Sequence, residues 1–241
     1  MRARVACLIP SMSTWAALTA MAHSELTLYC AVQGIAVKSL NQQCSLVSAA
    51  RNNLVRMALK FDPQPTHIFW LDSDMVVPPE SIERLLSHDK LICGAFYNKR
   101  VPPYDTVGHL MGKPNVSKGG LYQADVMPHG CVLVKREVYE KLPQPWYFES
   151  FDPAFVTEDD PCGMIGEDVN FSRECVKAGI EMWCDADLTF AVGHIGEQVV
   201  GCTPPEKSLP RDKAAKTVAT FYDGGEPSFG HSRGGTLHPT P

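Results

Sequence analysis

Four short runs hold residues whose types and spacing suit chemistry on a phosphorylated ligand. Asp72-Ser73-Asp74 places two carboxylates one residue apart at the end of the apolar run His67-Ile68-Phe69-Trp70-Leu71. Acids held where a buried strand meets a loop form a hard oxygen site, suited to Mg²⁺ or Mn²⁺ carrying a phosphate-bearing ligand. An ordinary turn is the competing account, because Asp side chains there bond nearby backbone N–H groups. Ala50-Arg51-Asn52 lies upstream on a helical pattern. A guanidinium there is well shaped for phosphate oxygens, or else it lines a solvated helix face. Gly166-Glu167-Asp168 opens another helical pattern, where acids offset the helix dipole or where one of them takes a proton from a hydroxyl. Val192-Gly193-His194-Ile195-Gly196 sets an imidazole among glycines. It is either a metal ligand, better suited to Mn²⁺ than to Mg²⁺, or a structural histidine.

The elements needed to position these residues can be read from hydrophobic periodicity. Arg4–Ile9 reads as a first buried strand stopping at a Pro/Ser loop, and Ser13–Ala22 as helical. Leu26–Tyr29 and Gly34–Leu40 alternate like strands. Leu46, Ala49, Ala50, Leu54, Met57, Ala58 and Phe61 fall at helical spacing, closed by Asp62-Pro63. Strand His67–Leu71, helix Glu80–Ser87 and strand Leu91–Tyr97 follow. Residues 98–120 read as a long loop, Leu121–Val126 and Gly130–Lys135 as strands, and Arg136–Leu142 as a helical continuation. The aromatic stretch Pro143–Pro161 suits a loop or ribbon lining a cleft. Glu167–Ala178 is a helix ended by Gly179, with strands at Ile180–Cys184 and Leu188–Val192. The alternation predicts an α/β fold, a mostly parallel sheet flanked by helices, with ligands gathering at the C-terminal ends of its strands. Residues 1–200 would form this domain and 201–241 an extension, with a helix at Arg211–Phe221 and a flexible tail from Gly224 to Pro241.

Composition narrows the classes. The 241 residues are 44% hydrophobic and 20% charged, with net charge −5, so no global basic field draws the chain to nucleic acid or anionic membrane. None of the nine cysteines lies in a C-x-x-C pair, which argues against a zinc site or dithiol redox motif. Scattered unpaired thiols favour a reducing compartment. Met1-Arg2-Ala3-Arg4, an apolar stretch and Ala20-Met21-Ala22 imitate a signal peptide, but Pro10-Ser11-Met12-Ser13 interrupts that stretch early. Cytoplasmic residence is the expectation, with no transmembrane segment.

Taken in order, the Arg-Asn helix, the strand ending in Asp-x-Asp, the Gly-Glu-Asp helix and the Gly-His-x-Gly run resemble the GT-A class of nucleotide-sugar glycosyltransferases. The family-2-like type is the nearest, over residues 4 to about 196. The resemblance implies a GT-A, Rossmann-like sheet with a small antiparallel acceptor-side part. It also implies a UDP-sugar donor and Mn²⁺ or Mg²⁺. Asp74 and His194 would ligate the metal, with Asp72 near the donor ribose or bound through water. Pro10, Ser11 and Arg51 would border the nucleotide, with Ser73 on the donor side. Asp168 would be the general base of an inverting transfer and Glu167 an acceptor contact. The acceptor would be a glycan, a protein hydroxyl or a hydroxymethylated pyrimidine in DNA, for which Lys99, Arg100, Lys113 and Lys118 are candidate phosphate contacts. The chain lacks the Gln-x-x-Arg-Trp run of processive synthases and looks like a stand-alone bacterial or viral enzyme with no evident protein partner.

Two other readings compete. A nucleotidyltransferase also joins a parallel sheet to carboxylate-bound metal, yet Leu8-Ile9-Pro10-Ser11-Met12-Ser13 holds no glycine for a phosphate loop. A non-catalytic sugar- or nucleotide-binding module would have no use for Asp168.

Overall fold

Alternate side chains of the first strand enter two different cores, and this sets the layering of the chain. The computed structural model describes residues 3–102, 104–112, 114, 116–156, 161–196 and 199–201. In chain order the elements begin with β1 (Arg4–Ser11), α1 (Ala17–Val32), β2 (Ala36–Gln43), α2 (Val47–Ala58), β3 (His67–Leu71) and β4 (Met75–Val76). Next come α3 (Ser81–Ser87), β5 (Ile92–Gly94), β6 (Tyr97–Asn98), β7 (Thr106–Val107), β8 (His109–Leu110), β9 (Leu121–Val126) and β10 (Cys131–Lys135). The remainder are α4 (Arg136–Lys141), β11 (Ser150–Phe151), β12 (Met164–Ile165), α5 (Glu167–Lys177), β13 (Met182–Asp185), α6 (Ala186–Thr189), β14 (Gly193–Ile195) and β15 (Val199–Gly201).

The central sheet has eight strands in the order β2-β1-β3-β10-β5-β13-β9-β8. β1 pairs in parallel with β2 and β3, and β5 with β13. β10 runs antiparallel between β3 and β5, and β9 antiparallel to β13 and β8. All strands except β10 and β9 therefore point one way, which is the mostly parallel α/β sheet with an antiparallel part that the sequence leads one to expect. Ala6 and Leu8 pack with Ile68, Trp70 and the inner faces of α2, α4 and α5. Val5, Cys7 and Ile9 pack with Phe69, Leu71 and residues of α1, α3 and α6. A strand covered on both faces reads as a continuous apolar run, and β1 and β3 do so.

Several expectations need correction. Leu26–Tyr29 is not a strand but lies within α1. Thr19, Ala22, Leu26 and Cys30 are its buried residues, spaced for one helix face, and the chain turns only at Gly34, whose φ of 71° suits glycine. β1 continues past Ile9 through Pro10 to Ser11. Its pairing with β2 extends to Ser11–Gln43, whereas that with β3 stops at Leu8–Trp70, so the proline sits where the strand is paired on one side. Leu188–Val192 is not a strand either. The Asp185 carboxylate accepts the Leu188 N–H at 3.0 Å and caps the short helix α6. Residues 98–120 are not a plain loop, for β6 and β7 form a ribbon and β8 adds to the sheet. Trp146 and Tyr147 are core rather than cleft lining, while Phe151 and Phe155 are exposed. The helix expected at Arg211–Phe221 and the tail expected from Gly224 lie outside the described residues. Among the described residues, no helix is long and apolar enough to cross a membrane.

Gly94 shows how tightly the middle of the sheet is packed. A Cβ there would stand 2.7 Å from the Cys131 carbonyl oxygen and 2.8 Å from Val132 Cβ. Gly94→Ala is therefore expected to destabilise the fold by about 1–3 kcal/mol, read as a lower urea midpoint. An unchanged midpoint would mean that β5 and β10 can part at no cost.

Candidate active site

The C-terminal ends of β1 and β3 lie side by side in the sheet. The β1–β3 pairing ends at Leu8–Trp70, two residues short of Pro10 on one strand and of Asp72 on the other. The Asp-x-Asp loop is pinned from several sides: Asp72 N–H donates to the Gly130 carbonyl at 3.1 Å, Met75 N–H to the Asp72 carbonyl at 3.1 Å, and Ala16 N–H to the Ser73 carbonyl at 3.0 Å. Pro10 and Ser11 are both buried at the end of β1, and Ser11 Oγ accepts from Asn41 Nδ2 at 2.9 Å.

Arg51 ties the end of β3 to the start of α5. Its side chain is 3% exposed and lies over the Trp70 ring, 5.0 Å from the centroid. Its Nη2 donates to Asp72 Oδ1 at 2.9 Å and its Nε to Glu167 Oε1 at 3.0 Å. Burial works against its charge, but Asp72 and Glu167 more than offset this and hold the guanidinium protonated. Burial likewise raises the Asp72 carboxyl, against the pull of Arg51. Arg51, expected beside the nucleotide, thus spends its donors inside the protein, and Glu167, expected to touch an acceptor, is bonded to it. Asn52, next to it, has a role that the sequence reading missed. Its amide clamps residues 146 and 147, donating to the Tyr147 carbonyl at 2.6 Å and accepting the Trp146 N–H at 3.0 Å.

Asp168 sits beside this triad. Oδ1 accepts the Val169 N–H at 2.8 Å, and a Cβ on Gly166 would approach that oxygen to 3.2 Å. Burial, then the neighbouring Glu167 charge, pushes its carboxyl up to about 6, with Arg51 pulling the other way and Asp72 adding to the rise. A carboxylate poised near neutral pH suits proton removal.

Asp74 and His194 come from distant parts of the sequence and meet because β14 pairs with β4, His194 opposite Met75. His194 Nε2 lies 3.5 Å from Asp74 Oδ2. Nδ1 lies 2.8 Å from the Asn98 carbonyl, which can only accept, so Nδ1 carries the hydrogen. In the neutral ring Nε2 is then a bare lone pair facing a carboxylate, the arrangement common in metal-ligating histidines. Burial alone would raise the Asp74 carboxyl, but His194, when its ring carries a hydrogen on Nε2 as well as on Nδ1, and Arg100 hold it below the usual carboxylate range. Arg100 Nη1 donates to Asp74 Oδ2 at 2.7 Å. Asp72, directed at Arg51, does not complete a third ligand, and among the described residues no three His, Cys, Asp or Glu side chains gather as metal ligands would. Neither the Asn98 carbonyl nor Arg100 was singled out as part of this site by the sequence. Backbone acceptors carry no residue signature, and Arg100 stood out only as a candidate contact to the phosphates of a DNA acceptor. A cavity of about 420 Å³ lined by Asn41, Gln42, Asn53, Arg56, Met57 and Lys60 involves none of the site's carboxylates or His194.

No family model and no curated protein matches this sequence. Among solved structures, A197 from STIV aligns over 86% of this chain and 97% of its own, with 17% identity and a TM-score of 0.51. The catalytic domain of Drosophila beta1,4galactosyltransferase 7, in complex with xylobiose, aligns over 89% of this chain and 79% of its own, with 17% identity and a TM-score of 0.47. GalNAc-T7 with UDP, GalNAc and Mn²⁺ aligns over 80% of this chain and 44% of its own, with 13% identity and a TM-score of 0.44. At 17% identity the likeness to A197 is one of fold.

Proposed function

We propose that this chain is a metal-assisted glycosyltransferase that moves a sugar from a nucleoside diphosphate sugar, of the UDP class, to an acceptor hydroxyl. One observation carries the reading: Arg51 docks the start of α5, with Asp168, onto the strand end that continues into Asp74. A candidate base and a candidate cation seat thereby share one strand end. Asp168 accepts the acceptor's hydroxyl proton as that oxygen bonds to the anomeric carbon. The carbon's bond to the diphosphate oxygen breaks, and the electron pair leaves with the nucleoside diphosphate. Attack from the face opposite the leaving group inverts the centre and needs one base. Asp74 and His194 would supply two ligands to a divalent ion, the remainder coming from diphosphate and water, as hard cations at phosphate sites commonly arrange. Such an ion would neutralise the charge developing on the leaving group. Arg51 acts here as a positioning residue, and Pro10, Ser11 and Ser73 border the donor.

A glycan is the acceptor class favoured, because the exposed ring of Phe151 on β11 lies beside β12, which runs straight into α5. Exposed rings stack on sugar faces without needing a charge. The experiment is transfer from a panel of nucleotide sugars onto glycan and DNA acceptors, with Mn²⁺ or excess chelator. Mn²⁺-dependent transfer is expected, abolished by chelator, by Asp74→Ala and, to a lesser degree, by His194→Gln. Full activity in chelator would remove the metal from the mechanism, and nucleotide release without sugar transfer to any acceptor would point to a hydrolase.

A further inference from the structure

The cation on Asp74 in this structure is a side chain of the protein's own. Arg100 and His194 Nε2 approach the same oxygen, Asp74 Oδ2, at 2.7 and 3.5 Å. Arg100 is carried between β6 and β7, whose pairing is continued by Lys99 N–H donating to the Asp105 carbonyl at 2.8 Å. The same ribbon supplies the Asn98 carbonyl that fixes the His194 ring. Its backbone also rests on the glycine after Ile195, since a Cβ on Gly196 would stand 2.8 Å from the Arg100 carbonyl oxygen. The Arg100 main chain is thus located by packing, while its side chain remains 55% exposed. Exposed ion pairs of this kind are weakly held and easily exchanged.

We propose that Arg100 is a displaceable occupant of the cation seat on Asp74, released when a divalent cation binds and then turned onto the diphosphate that accompanies it. This rests on the metal-assisted reading above. A divalent ion at Asp74 and His194 would repel a guanidinium from Oδ2, and the nearest new negative charge is the diphosphate held by that ion. Guanidinium groups pair with phosphate oxygens in a two-pronged fashion that ammonium groups do not reproduce. Arg100 would thereby lower metal affinity before the donor arrives and raise donor affinity once the metal is in place.

The test is Mn²⁺ binding, followed by electron paramagnetic resonance of the free ion, and UDP binding by calorimetry at saturating Mn²⁺. Wild type, Arg100→Gln, Arg100→Lys and Asp74→Ala are compared. Arg100→Gln is expected to bind Mn²⁺ about threefold to fivefold more tightly without nucleotide, the scale set by an exposed ion pair. It should bind UDP about tenfold more weakly with Mn²⁺ present, the loss of a charge-assisted hydrogen bond, and Arg100→Lys should restore little of that. Asp74→Ala should lose Mn²⁺ binding. Unchanged or weaker Mn²⁺ binding in Arg100→Gln overturns the displacement, and unchanged UDP affinity overturns the transfer to diphosphate, with the metal reading intact in both cases. Absence of Mn²⁺ binding to wild type, with and without UDP, brings down the metal reading and this inference together.

Discussion

Asp168→Asn is expected to reduce transfer by about 10²–10⁴-fold, the usual contribution of a positioned base. It should leave nucleotide-sugar affinity nearly unchanged, because the substitution keeps the volume and the oxygen that accepts the Val169 N–H. Two accompanying signatures separate a base from a merely structural acid. In wild type the Asp168 carboxyl lies near 6, raised by burial and by Glu167. Activity should therefore climb as pH rises through 6, and this limb should vanish from the residual rate of the variant. Stability should move the opposite way. A carboxyl whose folded pKa exceeds its unfolded one binds more protons in the native state across the interval between them, so raising pH through about 6 destabilises wild type. The asparagine variant escapes this penalty and should melt at a higher temperature at pH 7–8, with the difference closing as the pH falls below the carboxylate range. A slower and more stable protein is what removing a group held for function rather than folding would give. A variant that loses stability at pH 7 and keeps its transfer rate would take Asp168 out of the mechanism.

What could be read in advance follows from where each signal resides. β3 and the Asp pair after it were legible because a short apolar run bounded by polar residues has few alternatives, and the strand spans the same residues expected of it, His67–Leu71. α2 and α5 were legible through helical spacing and a terminating Gly179. α1 was misjudged because its core face, Thr19, Ala22, Leu26 and Cys30, is narrow, and exposed apolar residues such as Met21, Leu28 and Val32 blur the period. α6 was missed because its cause is tertiary. Asp185 is fully buried and holds Arg84 through both carboxylate oxygens, at 2.5 and 2.8 Å, and only so placed does it cap Leu188. The nearness of Asp74 to His194 has the same character, for it depends on β14 pairing with β4, which two short segments cannot announce. Arg51 could be named but not assigned. A sequence cannot reveal that both partners of a guanidinium will be internal carboxylates.

Arg51→Met should be the most destabilising of the changes considered, by about 3–5 kcal/mol, the range for removing one partner of a buried ion pair. Methionine keeps most of the packing against Trp70, so the loss reports the charges rather than a cavity. With the guanidinium gone, Asp72 and Glu167 face each other's field at a site only partly open to water, and Asp168 adds a third acid. Their shared remedy is protonation. The Asp72 carboxyl, already raised by burial, would rise further, so the native state would bind protons that the unfolded chain releases, and the deficit relative to wild type should narrow as pH is lowered from 8 towards 5. Urea denaturation of both proteins across that range tests the sign. Adding Asp72→Asn and Glu167→Gln to the variant should recover much of the stability at pH 7, since it removes the unpaired charges along with their partner. Arg51→Lys should recover little, because one ammonium group cannot serve two carboxylates that enter from different elements through a planar fork. A pH-independent deficit, or no benefit from neutralising the two acids, would show that Arg51 matters through its packing and that the link between β3 and α5 is made by other contacts.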